Sequence, residues 1–130
     1  MNIVVGFTPS AQGRAALAAA VRQGKLTGSV VVVANHVYAD CSAAPATASE
    51  DAVRDAIRDA GGDSIEVRLL TDARPDAGEF LLETVEKEHS DLLVIGLRRK
   101  SPIGKLSLGA SARRVILQAP CRVLAVKEPA

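Results

Sequence analysis

Five short runs of β-branched and aliphatic residues punctuate the chain: Ile3-Val4-Val5-Gly6, Ser29-Val30-Val31-Val32-Val33-Ala34, Ile65-Glu66-Val67-Arg68-Leu69-Leu70, Leu92-Leu93-Val94-Ile95-Gly96 and Cys121-Arg122-Val123-Leu124-Ala125-Val126. Most are continuous rather than alternating, the mark of strands covered on both faces. Only residues 65–70 alternate with period two, which predicts an edge position for that strand.

Helical patterns fill the gaps. Leu17 and Val21 lie four apart in an Ala-rich stretch, predicting a helix over about residues 10–23. Ala52, Val53, Ala56, Ile57 and Ala60 form one apolar stripe, closed by Gly61-Gly62. Asp76 and Glu79 have the spacing of a capping box ahead of Leu81, Leu82 and Val85. Ala112, Val115, Ile116 and Ala119 make a fourth stripe, stopped by Pro120. The order is therefore βαβαβαβαβ, which calls for one doubly wound α/β domain spanning residues 1–130, with a five-stranded parallel sheet, right-handed crossovers and helices on both faces. Residues 40–49, rich in Ala, Pro, Ser and Thr, read as a loop between the second strand and second helix.

Composition narrows the chemistry. With 130 residues, 48% of them hydrophobic and 24% charged, the chain has the profile of one globular domain. It shows no apolar run of membrane-spanning length and no basic-then-apolar leader, so the expected setting is the cytoplasm without a membrane partner. Two Phe, one Tyr and no Trp leave few stacking surfaces, which argues against a nucleic-acid platform. Cys41 and Cys121 stand 80 positions apart with no ligand-like neighbours and read as reduced thiols. Net charge is +1, but it is unevenly spread. Residues 1–91 carry 8 Lys/Arg against 14 Asp/Glu, whereas residues 92–127 carry 8 Lys/Arg and no acid. The last third thus predicts an anion-attracting surface.

In an open α/β sheet, ligands gather beyond the carboxyl ends of the strands, where the strand order reverses. Three segments qualify: Gly6-Phe7-Thr8-Pro9-Ser10, Asn35-His36-Val37, and Gly96-Leu97-Arg98-Arg99-Lys100 running on to Gly109-Ala110-Ser111. The third joins basic side chains and glycines to a helix start whose first amides lack intrahelical partners, a physical recipe for holding phosphate. Residues 99–106 contain the x4-G-K part of a P-loop. They lack its leading Gly and trailing Ser/Thr, and they follow the fourth strand instead of the first. No acid at Thr8-Pro9-Ser10 could hold the Mg²⁺ of a receiver domain, and no metal spacing or paired-acid geometry is visible. Glu79, Glu83 and Glu86 read as the wet face of a helix, His89 as a surface residue, and His36 as structural or as a contact of the crevice.

Three stretches carry a resemblance. They are Ile3-Val4-Val5-Gly6 with Ser10 and its Ala-rich helix, residues 73–82 ahead of Ser90-Asp91-Leu92-Leu93-Val94-Ile95-Gly96, and Lys105-Leu106-Ser107-Leu108-Gly109 through Ala119-Pro120-Cys121-Arg122-Val123-Leu124-Ala125-Val126. Together they resemble the universal stress proteins over nearly the whole chain. The resemblance implies an adenine-nucleotide-binding fold with strand order 3-2-1-4-5, a homodimer paired through the last strand (Arg122, Val123, Leu124, Ala125, Val126), and a stress-responsive binding role; the missing carboxylate at Thr8 and the lack of a visible general base or metal ligand argue against catalysis. ATP or AMP are the implied ligands, with Mg²⁺ only alongside a bound nucleotide. ATP-binding members carry G-x2-G-x9-G-[ST] after strand four and an Asp after strand one. Here Gly96 and Gly109 keep the spacing, but the middle glycine is Arg99, the residue after Gly109 is Ala110, with Ser111 next to it, and the acid is Thr8. These departures predict weak preference among nucleotides, without tight ATP selectivity, and retained general anion affinity. The competing readings are a dimeric interaction protein with a vestigial pocket and, less favoured, an enzyme such as a slow nucleotidase.

Overall fold

The computed structural model describes residues 2–8, 10–36, 50–72, 77–97 and 110–127. Its strands are β1 (Asn2–Phe7), β2 (Val30–His36), β3 (Val67–Asp72), β4 (Leu92–Leu97) and β5 (Arg122–Lys127). Its helices are α1 (Ala11–Thr27), α2 (Glu50–Asp59), α3 (Ala77–Glu88) and α4 (Ala110–Gln118), with a 3-10 turn at Gly62–Ser64. The sheet runs β3-β2-β1-β4-β5, and every pairing between described strands is parallel. Order and direction both match the expectation, and the alternating strand does lie at an edge.

The valine runs explain the layering. Ile3, Val5, Phe7, Val31, Val33 and Val94 point to one face, where they pack with Ala16, Leu17, Ala20 and Val21 of α1 and Val53 of α2. Val4, Val32, Ala34, Leu93, Ile95 and Leu97 point to the other, against Phe80 and Val85 of α3 and Val115 of α4. Strands β1, β2 and β4 therefore bury both faces, which a continuous apolar run permits and an alternating one does not. Each fully buried Val or Leu contributes about 1.5–3 kcal/mol of transfer free energy, so this double layer dominates stability.

Several local expectations shift. The first helix does not stop near Gln23. It continues through buried Gly24 to Thr27, and Gly28 caps it at φ 68. The third strand starts two residues later than predicted, because Ile65 follows the 3-10 turn and its amide donates to the Gly62 carbonyl at 3.3 Å. In α4, Val115 is 1% exposed, but Ile116, placed on the core stripe by its spacing, is 37% exposed and Leu117 is 76% exposed. Val115 enters the core with only Ala112 and Ala119 packed beside it, so the apolar stripe of α4 is narrower than its spacing predicts. Asp76 and the 40–49 loop lie outside the described residues.

Candidate functional site

Strand order reverses between β1 and β4, since the chain leaves β1 toward β2 and leaves β4 toward β5. Beyond the carboxyl ends of these two strands is the crevice where α/β ligands are held. On the β1 side the geometry is tight. The Ser10 backbone is extended (φ −149°), and its Oγ caps α1 by accepting the Gly13 amide at 3.2 Å. The Ser10 amide donates to the Thr8 carbonyl at 2.8 Å, and the two hydroxyls, Thr8 Oγ1 and Ser10 Oγ, are 2.7 Å apart. Thr8 and Ser10 are both half-buried.

Two glycines make this packing possible. A Cβ on Gly13 would run into the Thr8 carbonyl and hydroxyl oxygens, and one on Gly96 would run into the Gln12 carbonyl. Gly96, the first glycine of the expected nucleotide motif, thus lets the first turn of α1 lie over β4. Gly13 was not singled out from sequence. Its signal was a glycine in the first turn of an otherwise Ala-rich helix, where propensity disfavours it.

The other expected residues fall as follows. Gly6 faces Leu81 of α3, whose methyl carbons stand 3.1 and 3.2 Å from a Cβ placed there. Phe7 is 2% exposed and buried beneath α1, so its backbone, not its ring, adjoins Thr8. Asn35, 1% exposed, lies at the same end of β2, in register with Phe7 of β1 and Thr71 of β3. His36 closes β2 opposite Asp72. Arg98, Arg99, Lys100 and Gly109 lie outside the described residues, as do the side chains of Ala110 and Ser111; the helix α4 itself begins at Ala110. The structure thus brings Thr8, Ser10, Asn35 and Gly96 to one end of the sheet.

The polar side chains brought together here, Thr8, Ser10 and Asn35, are all neutral. Among the described residues no group of three or more His, Cys, Asp or Glu could hold a metal ion, and no helix is long and apolar enough to cross a membrane. A separate open cleft of about 460 Å³ lies at the opposite end of the sheet, lined by Lys25, Gly28, Ser29, Ser64 and Glu66. It follows from the glycine-capped end of α1 and is remote from the switch point. Burial pushes the Cys121 thiol above its ordinary pKa, Asp91 adds to the effect and Arg122 opposes it. Cys121 precedes β5 at that same opposite end and takes no part in the crevice.

Comparison with known proteins fits this geometry. Residues 1–127 match the model of the Universal stress protein family. A universal stress protein of Mycolicibacterium smegmatis is 33% identical over 125 residues, covering 96% of each chain. The structure of a universal stress protein from Archaeoglobus fulgidus superposes with TM-score 0.75 at 24% identity, covering 98% of both chains. A second from that organism, in complex with dAMP, superposes with TM-score 0.66 at 17% identity over 98% of both. With a family match over nearly its full length and a relative of this identity, the chain belongs to the universal stress protein family.

Proposed function

We propose that this chain is a non-catalytic binding protein for an adenine nucleotide or another phosphorylated small molecule. The ligand would lie in the crevice between the Thr8 and Ser10 loop and the segment leading into α4. Arg99 and the first amides of α4 would hold its phosphate, flanked by Arg98 and Lys100, and Thr8 and Asn35 would line the remainder. One observation carries this reading. The neutral, helix-capping loop after β1 sits at the switch point beside β4, and β4 opens a stretch of 36 residues (92–127) with 8 cations and no acid. A phosphate is attracted by such a stretch and satisfied by amides at a helix start. The dAMP complex of the Archaeoglobus relative supports the ligand class. Mg²⁺ would accompany the nucleotide's phosphates. The same reading includes a symmetric homodimer through residues 122–126, supported by the open edge of β5.

Titration calorimetry with ATP, AMP, cyclic AMP and inorganic phosphate tests it. At least one phosphate ester should bind at ~1 mM or tighter, and Arg99→Ala should weaken binding about tenfold or more, because a charge-assisted contact is worth ~1.5–3 kcal/mol. If none binds and no ligand co-purifies, the chain is an interaction protein with a vestigial pocket. Tight ATP binding that Arg99→Ala leaves unchanged would keep the pocket and remove Arg99 from it.

A further inference from the structure

We propose that the cleft at the amino-terminal ends of β2 and β3 is a second ligand site, separate from the crevice, and that it takes a free aliphatic α-amino acid as its zwitterion. Two chain reversals form its walls: the end of α1 with the turn into β2, and the 3-10 turn leading into β3. Its volume of about 460 Å³ lies in the usual range for small-molecule sites.

A count of hydrogens fixes the polarity on the α1 side. The Thr27 hydroxyl has a single hydrogen and donates it to the Gln23 carbonyl at 2.8 Å. The 2.6 Å bond between Thr27 Oγ1 and Ser29 Oγ must therefore be donated by Ser29. Ser29 Oγ is left with lone pairs alone, in a residue that lines the cleft and is only 4% exposed. A buried acceptor of this kind calls for a donor from whatever fills the space. Glu66 brings a carboxylate to the same cleft, and the end of α1 adds the partial negative charge of its last carbonyls. These groups favour an ammonium.

The opposite charge is also at hand. Lys25 lines the cleft, and its Nζ reaches across to the 3-10 turn, where it would stand 2.8 Å from a Cβ on Gly61. Among the described residues neither Lys25 nor Glu66 has an ion-pair partner. A simple amine would be repelled by Lys25 and a simple anion by Glu66. A zwitterion answers both, with its ammonium toward Ser29 Oγ and Glu66 and its carboxylate toward Lys25. Val30, Ile65 and the bare backbone of Gly24 and Gly28 complete the lining and suit an aliphatic side chain.

Titration of the full chain with L-leucine, followed through its amide NMR signals, tests the proposal. Isopentylamine (leucine without its carboxylate) and isocaproate (leucine without its ammonium) are the paired probes. L-leucine should bind at ~1 mM or tighter, with the amides of Ser29, Ile65 and Glu66 shifting, and each probe should bind about tenfold or more weakly. Lys25→Ala should weaken leucine about tenfold and leave isopentylamine no weaker; Glu66→Gln should weaken leucine and leave isocaproate no weaker. Both side chains are exposed, so neither substitution touches the core, and thermal melts verify this. The proposal is overturned if leucine fails to bind at about 10 mM, if either probe matches it within about threefold, or if both variants leave its affinity unchanged. The cleft shares no residue with the crevice, so any of these failures leaves the nucleotide reading standing.

Discussion

His89 is the one described non-glycine residue with positive φ, at 50°. It stands just past α3, its amide donating to the Glu86 carbonyl at 3.3 Å while the Ser90 amide reaches the Val85 carbonyl at 3.0 Å. That is a helix stop of the kind that favours glycine. The left-handed backbone costs an L-residue roughly 1–2 kcal/mol, and glycine returns part of that gain through its greater freedom when unfolded. His89→Gly should therefore stabilise the chain by about 0.5–1 kcal/mol in urea unfolding. A loss of stability would mean that the imidazole makes a contact that matters. Gly28, at φ 68 after α1, shows the same stop with the residue the geometry prefers. Gly96 is constrained differently, by the Gln12 carbonyl and not by its own dihedral angle.

Helix α1 shows how packing overrides propensity. Gly24 sits in its interior, where alanine would be favoured by about 1 kcal/mol. A Cβ there would stand 2.9 Å from Val31 Cγ2 and 3.2 Å from Ile65 Cδ1, so either these side chains or the helix must shift. Overpacking costs typically ~1–3 kcal/mol, which outweighs the propensity gain. Gly24→Ala should lower the melting temperature, and a rise would show that Val31 and Ile65 yield freely. In α4 the balance tilts the other way. Its stripe predicted Ile116 inside, yet Ile116 and Leu117 are both exposed because only Val115 and the neighbouring alanines reach the sheet.

The two edges of the sheet differ in how they are left. Strand β3 has half-buried Val67, Leu69 and Leu70 beside exposed Arg68 and Thr71, and is tied down by the Arg68–Glu88 ion pair at 2.7 Å. That pair joins β3 to the end of α3. Strand β5 offers a six-residue edge without proline, with half-buried Val123, Leu124 and Val126 between exposed Arg122 and Lys127. An uncovered apolar edge is a template for another strand, and a two-fold pairing with a second copy would close it. Light scattering at protein concentrations on the order of 10 µM should give twice the chain mass. The monomer mass there would count against pairing at that edge.

Much of this architecture was legible one residue type at a time. Runs such as Val30-Val31-Val32-Val33 announce burial on both faces because side chains alternate across a strand, so four consecutive valines need two apolar layers. Gly61 and Pro120 mark chain reversals by backbone chemistry alone. The alternation of strands and helices, together with the handedness of crossovers, leaves few topologies for such a chain. The 3-2-1-4-5 order, however, is not encoded in periodicity; only the family resemblance implies it. Of the crevice, sequence picked out Thr8, Ser10, Asn35 and Gly96, but not the pairing of the two hydroxyls or the part played by Gly13. Those depend on how the start of α1 folds back over β1 and β4, bringing Gly13 against Thr8 and Gln12 against Gly96. The exposure of Ile116 has the same origin. Periodicity ranks the faces of a helix relative to one another, whereas the area of sheet that a helix finds beneath it depends on which strand lies at the edge.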